Sequence, residues 1–589
     1  MKAQKKFARF ALAAGLTATM AFGNVAAPTV MAFADTGSAV TFADADYATS
    51  TTYKGIQIFK AIVATTGEDT KVSNIEWASD AAKEAVVAAI KAKDTSFASD
   101  HAQDAADWLN ANAGVDGTDS KVASDNVLSL IAANLEGKPG WETTTAGNPS
   151  LSNLEAGYWL FLTATAGKPD GKSTDAFTSP VYAVIDGVNP TTITPKKGVP
   201  TVEKKVLDDA DAVAPDIKGS DRWKDVADSQ IGQEVNYRLT GTIASNYATF
   251  STYAYKFTDV LSDGLDYVVG SVEVYAVNGG TYSLVDANKY DVAWDAKTLT
   301  VEFKVDDVKR GLKDVDGVTA DTQIVVFYKA KLNGSAVIGN ATAGNKGGNS
   351  NTVKLEYSNN PYAAGTGETI EDTVADFAFK LNLNKVDQGT EKGLPRAVFT
   401  IQSHDANTDG YYVASKTDAT EGVVEGQLVK VNDANNLPDY VKFTSGADGK
   451  IAASGLDAGS YKVTEVQTPD NTKYTKADPF TFTITPNYDD STMKVTSLTA
   501  AVSNADKGRT DIAFGTLDGT AGDHKLTGKD GTGTNAATGE VTINVGNAKS
   551  VGLPITGLDG VALTWIAGGA VLVIGVARII RRRRSESED

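Results

Sequence analysis

From about Thr201 onwards the chain is written in short runs of alternating apolar and polar residues, separated by Gly, Asn and Asp turns. Successive side chains of a strand point to opposite faces, so residues two apart share a face. Runs of this kind mark β-sandwiches, and the alternation also fixes which polar residues must point inward. Val202, Lys204 and Val206 are in phase. So are Tyr253, Tyr255, Phe257 and Asp259, and so are Val353, Leu355, Tyr357 and Asn359. Further on, Phe377, Phe379, Leu381 and Leu383 lead to Lys385. Tyr461 and Val463 lead to Glu465, and Val541, Ile543 and Val545 lead to Asn547. Each set offers one core a Lys near its start, an acid in its middle and an Asn near its end. An unpaired buried charge is costly, so each set demands a partner for its lysine.

The three side chains can react with one another. An apolar core pushes a Lys amine toward its neutral, nucleophilic form and a carboxyl toward its protonated form, able to donate to the Asn carboxamide oxygen. The amine attacks the polarised carbonyl, the carboxyl shuttles a proton, and ammonia leaves. The product is an uncharged Lys–Asn isopeptide bond. The expected pairs are Lys204–Asn359, promoted by Asp259, and Lys385–Asn547, promoted by Glu465. Lys205 and Asn351 are alternatives in the first set; Asn544 is a weaker one in the second, being out of phase. The simpler reading, a Lys at a strand end reaching water, suits one such residue better than two matched sets. Closing loops this long removes roughly 5 kcal/mol of unfolded-state entropy at most, and tension would then pass through covalent bonds instead of the hydrogen-bonded sheet.

A covalent staple of this kind matters because the chain has 589 residues and no cysteine, although its ends mark it for export, where disulfides are the usual device. Residues 1–34 read as a secretory signal: Lys2, Lys5, Lys6 and Arg9 precede an apolar run, and Ala32-Phe33-Ala34 sets cleavage between Ala34 and Asp35. At the other end Leu553-Pro554-Ile555-Thr556-Gly557 precedes an apolar segment, 560–577, and then Arg581 to Arg584. Those 18 residues reach about 27 Å as a helix, just enough to cross a hydrocarbon core, and the arginines hold the end on the cytoplasmic side. Residues 553–589 resemble the cell-wall sorting signal of the LPXTG family. The resemblance implies that a sortase attacks the Thr556 carbonyl, releases Gly557 onward, and makes the helix a transient membrane hold. The formal net charge of −19 repels nucleic acid.

Between the ends the chain divides into three domains, 35–195, 196–362 and 374–550. The first is mixed α+β, with helical patterning at Asp80–Lys93, His101–Ala113 and Ser124–Leu135. Pro-rich 186–200 and Gly/Pro-bearing 359–373 read as linkers. The expected fold is mainly β: an elongated multi-domain chain of tandem Ig-like, Cna-type sandwiches behind a mixed N-terminal domain.

Several segments resemble the major backbone pilins of sortase-assembled Gram-positive pili, the SpaA-like group. Tyr461-Lys462-Val463-Thr464-Glu465, with Pro469 and Tyr474, resembles that family's E-box, with Val463 in place of Leu. Asp259 to Leu265 resembles the segment that carries the acid of the second domain, Thr352 to Pro361 its closing strand, and Tyr53 to Phe59 the family's opening strand. Ile193-Thr194-Pro195-Lys196 occupies the place of the pilin motif, with Thr194 where tyrosine is usual. The resemblance implies a fimbrial shaft subunit on the cell wall in which Lys196, or else Lys197, resolves the sortase–Thr556 acyl-enzyme of another copy. The implied partners are a pilus-class sortase, other copies of the chain, minor tip and base pilins, and peptidoglycan, with host matrix protein or glycan as ligands. The resulting fibre is head-to-tail and non-closing.

Other chemistry finds little footing. His101, His404 and His524 are widely separated, so neither a histidine metal site nor a hydrolytic triad is suggested. Asp405 to Gly410 resembles the start of an EF-hand loop, but its twelfth position is Lys416. No cofactor, metal or enzymatic turnover is expected beyond the single-turnover isopeptide reaction. The principal rival is a monomeric wall-anchored adhesin.

Overall fold

The computed structural model describes residues 37–550, apart from 67–68, 115–121, 210–217, 219–220, 341–346, 519–524 and 530. The expected leader with its Ala34–Asp35 cleavage point, the Leu553–Gly557 motif with Thr556, and the apolar segment 560–577 lie outside the described residues. Among the described residues no helix is long and apolar enough to cross a membrane.

The N-terminal part carries the helices α1 (Asp80–Lys93), α2 (Ala102–Asn112) and α3 (Val127–Leu135). α1 starts where the Ser79 side chain accepts from the Ala82 amide at 3.1 Å. Asp80 in its first turn and Lys91 and Lys93 in its last complement the helix dipole. Its buried face, Ala82, Ala85, Val86, Ala89 and Ile90, follows the three- and four-residue spacing of the sequence. The three helices share a core with Ile56, Ile58 and Leu160, which lie on the paired strands Thr52–Thr66 and Gly157–Thr165. A small second sheet places the first strand, Ser38–Phe42, between Ser150–Leu154 and Thr191–Ile193, the last pairing parallel. Part of the stretch 186–200 that reads as a linker is therefore a strand of this region.

Two sandwiches follow. In the first, Val202–Leu207 is the edge of a sheet and pairs with Glu234–Thr242, which pairs with Gln323–Leu332. The facing sheet carries Tyr255–Leu261 beside Asn349–Ser358, and the two layers share one core that includes Tyr237, Leu239, Phe257, Val353 and Leu355. Strands Thr366–Glu368 and Asp372–Phe377 both hydrogen-bond to Asn349–Ser358. The Pro361, Gly365 and Gly367 signals thus mark a turn inside this sheet, whose pairing runs on to Phe377.

In the last sandwich Phe379–Asp387 lies between Lys450–Leu456, antiparallel, and Glu540–Asn547, parallel. The first and last strands of this region are neighbours. The opposite sheet centres on Val398–Ser403, Gly459–Gln467 and Phe480–Asp489. The two sandwiches meet directly: the Ile231 amide donates to the Gly455 carbonyl at 3.0 Å, and the Ala458 amide to Asp228 at 3.0 Å.

Candidate functional site

Strand phase carries Lys385 and Asn547 into the last core from parallel neighbours. Lys385 stands opposite Val545 and Asp387 opposite Asn547, so the two side chains are diagonal on one face. Glu465 arrives from the facing sheet. Lys385 is fully buried and Glu465 and Asn547 are each 1% exposed. The Lys385 Nζ contacts the Asn547 Oδ1 and lies 3.4 Å from Glu465 Oε1. The Asn547 Nδ2 donates to the same Glu465 oxygen at 3.1 Å, and the Ala477 amide donates to the other at 2.7 Å. Burial pulls the Lys385 amine down to about 8, against the opposing pull of the Glu465 charge. The amine thus faces the carboxamide, and the carboxamide nitrogen faces the acid. Sequence reasoning had aimed the acid at the carboxamide oxygen; here it meets the nitrogen that would leave.

In the middle sandwich the amine and the acid come from opposite sheets. Lys204 is fully buried and Asp259 is 1% exposed; the Nζ lies 2.8 and 2.6 Å from the two Asp259 oxygens. It also donates to the Tyr328 hydroxyl at 2.9 Å, and that hydroxyl accepts from the Asn351 Nδ2 at 2.6 Å. The Tyr237 and Tyr328 ring centroids each lie 5.2 Å from the Nζ. Burial lowers the Lys204 amine to about 8, with Asp259 opposing, and raises the Asp259 carboxyl, with Lys204 opposing. The Asn351 Oδ1 is buried without a hydrogen-bond partner.

Asn359, the residue expected to join Lys204, is elsewhere. Its Nδ2 donates to the Asp175 carbonyl at 3.3 Å, in the N-terminal part of the chain. Both asparagines are in phase, but Asn359 lies just past the end of the strand Asn349–Ser358, and Asp259 stands opposite Val353, two residues from Asn351. Asn359 is eight residues further along, about 26 Å at strand rise. Phase selects the face; register selects the neighbour. Lys205 turns to the other face and pairs with Asp225 and, at 3.7 Å, with Glu203. Asn544 is buried away from Lys385, donating to the Ala513 carbonyl at 3.1 Å and accepting from Asn384 at 3.0 Å.

The two candidate attachment lysines differ. The Lys196 backbone is pinned by Thr178 and Ser179, and its amine has no ion pair among the described residues. Lys197 is drawn into a pocket with Asp44, Asp175 and Tyr53. Among the described residues no group of three His, Cys, Asp or Glu side chains could hold a metal ion. In the EF-hand-like stretch Asp405 instead accepts from the Ser460 amide at 3.0 Å. Sequence reasoning missed Tyr328, Tyr237 and the Asp44–Asp175 pair. Ile324 to Tyr328 is a continuous buried run, so alternation gave Tyr328 no inward signal.

Residues 231–361 match the model of the Gram-positive pilin backbone subunit 2, Cna-B-like domain, and residues 379–499 match the SpaA prealbumin-like fold domain. No curated protein matches. Among solved structures, the T6 backbone pilin of serotype M6 Streptococcus pyogenes is 14% identical, covering 87% of this chain and 98% of its own, with a TM-score of 0.47. The major pilin SpaD from Corynebacterium diphtheriae is 15% identical over 88% of this chain and 99% of its own, TM-score 0.42. The major pilin RrgB from Streptococcus pneumoniae is 15% identical over 70% of this chain and 86% of its own, TM-score 0.36. The chain thus carries a Gram-positive pilin-backbone domain and a SpaA prealbumin-like domain in tandem.

Proposed function

We propose that the chain is the repeating shaft subunit of a covalently polymerised surface pilus on the cell wall. A sortase joins Thr556 of one copy to Lys196 of the next, and each sandwich is closed by its own isopeptide bond, Lys385–Asn547 and Lys204–Asn351. The observation that carries this reading is the dry convergence of Lys385 and Asn547, on the first and last strands of one sandwich, with Glu465 from the facing sheet. The neutral Lys385 amine attacks the Asn547 carboxamide carbon. Glu465 accepts the amine proton and passes it to the carboxamide nitrogen; ammonia leaves, and the amide remains beside the acid. Lys204 and Asp259 supply the same amine and acid, and Asn351 swings past Tyr328 to receive the attack. Lys196, half-buried and without an ion pair at its amine among the described residues, is favoured over Lys197, whose amine is taken up by Asp44 and Asp175.

Intact mass of the mature protein tests the cross-links. The wild type is expected to lack two ammonia molecules at these sites, and Glu465→Ala to lack one and to lose thermal and protease resistance. A wild type that retains both ammonia equivalents would overturn the cross-links. Lys196→Ala is expected to collapse a high-mass ladder in denaturing gels to monomer; an unchanged ladder rules out this attachment point.

A further inference from the structure

The Lys197 pocket is a third buried amine–carboxyl cluster. Its topology matches that of the last sandwich. There, the first and last strands are parallel neighbours and the lysine cluster sits at their ends. In the N-terminal region the first strand, Ser38–Phe42, is the parallel neighbour of the last, Thr191–Ile193, with Phe42 opposite Ile193. Asp44 follows the one and Lys197 the other. The Lys197 side chain is 8% exposed, Asp44 10% and Asp175 0%. The Lys197 Nζ lies 2.9 Å from Asp44 Oδ2, contacts Asp175 Oδ2, and donates to the Tyr53 hydroxyl at 2.9 Å. The Tyr47 and Tyr53 rings flank it at 5.3 and 5.4 Å.

The two carboxyls are held differently. Asp175 is fixed by the Ala176 amide at 2.8 Å and the Thr51 hydroxyl at 2.7 Å, and Thr51 is itself held by the Gly167 amide at 3.0 Å. Burial raises its carboxyl toward the protonated form, with the Lys197 charge opposing. Asp44 receives the Tyr53 hydroxyl, a donor aimed at an acyl oxygen. Asp175 thus has the deep, rigid setting of a proton shuttle, and Asp44 that of an acyl acceptor.

We propose that Lys197 and Asp44 form a third intramolecular isopeptide bond, with Asp175 as the promoting acid. The Lys197 nitrogen bonds to the Asp44 Cγ, the C–O bond to one Asp44 oxygen breaks, and Asp175 delivers the proton with which that oxygen leaves as water. An ammonium and a carboxylate contain between them the atoms of an amide and one water, so no co-reactant is needed. The acceptor is a carboxyl, so this site loses water where the Asn sites lose ammonia. The bond consumes Lys197 and ties the entry of the N-terminal region to its exit.

Proteolytic digestion of the full mature chain with tandem mass spectrometry decides the matter. The expected product is a branched peptide joining Lys197 to Asp44, lighter by one water. Asp44→Asn is expected to keep the branch but to lose ammonia in forming it, and Asp175→Ala to leave Lys197 unbranched. An unbranched wild-type Lys197 peptide overturns the proposal, as does a branch to Asp175. The wild-type digest requires no variant to fold. The Lys385–Asn547 branch is read in the same digest, so the two readings fail separately.

Discussion

Lys204 and Lys385 are equally hidden from water, but their surroundings use the charge differently. Lys385 touches Asn547 directly, whereas Lys204 is held by both oxygens of Asp259 and is linked to Asn351 through Tyr328. A buried pair that close is costly to break by removing one partner, so Lys204 needs a displacement of the Tyr328 hydroxyl before it can react. Asn351→Ala is accordingly expected to abolish the ammonia loss of the middle sandwich and Asn359→Ala to leave it intact, read by intact mass. Tyr328→Phe is expected to speed its formation in a time course on freshly refolded protein. The uncross-linked Asn547→Ala variant exposes the cost of burying Lys385. Its amine titrates at about 8 when folded against 10.5 when free, and burial, the main cause, is unchanged by the substitution. Between those values the unfolded chain holds a proton that the folded chain has released. Stability therefore rises with pH through this window, at up to roughly 1.4 kcal/mol per unit. Denaturant titration at several pH values checks the slope.

At the scale of the element, the strand Phe379–Asp387 owes its precision to a turn. The Lys385 amide donates to the Gly449 carbonyl at 2.8 Å, and the Lys385 carbonyl accepts from Leu394 at 2.8 Å. Gly449 has φ +83°, and a Cβ there would run into the Lys385 carbonyl. Gly449→Ala is expected to cost about 1–3 kcal/mol and to slow the Lys385–Asn547 bond, measured by thermal unfolding and by the time course of ammonia loss. Elements of this kind also show how much could be read beforehand. Helices announced by apolar residues at three- and four-residue spacing, such as Asp80–Lys93, were legible, and so was the inward face of each alternating strand, which brought Lys385, Glu465 and Asn547 together. What alternation cannot supply is register: it gave Asn351 and Asn359 the same face and could not tell which stood by Asp259. Turn residues likewise do not distinguish a hairpin from a domain exit, so 359–373 read as a linker although Thr366–Glu368 and Asp372–Phe377 complete a sheet. Lys197 follows Pro195 beyond any strand and carried no phase at all.

At the scale of the whole molecule, the joint between the sandwiches is a polar contact built on acids. Asp228 accepts from the Ala458 amide and, at 2.5 Å, from the Tyr488 hydroxyl, while Gln230 accepts from Asp457 and Tyr461. Burial first, and then the nearby Asp228 charge, hold the Asp457 carboxyl well above its ordinary range. A raised carboxyl means that the docked state keeps a proton the undocked state has lost. The joint is therefore firmest at acid pH and weakens as pH rises through the raised value. Hydrogen exchange at the Ala458 amide is expected to quicken over that rise, and Asp457→Asn to remove the dependence. The parallel pairing of Phe379–Asp387 with Glu540–Asn547 has a different consequence. With the proposed bond between Lys385 and Asn547 in place, the pull on a fibre would cross from one strand to the other at that point, and residues 386–546 would hang beside the line of force. Their loops can lengthen, shorten or change sequence without altering what the shaft can bear, so the surface shown to the surroundings is free to vary while the cable within it stays the same.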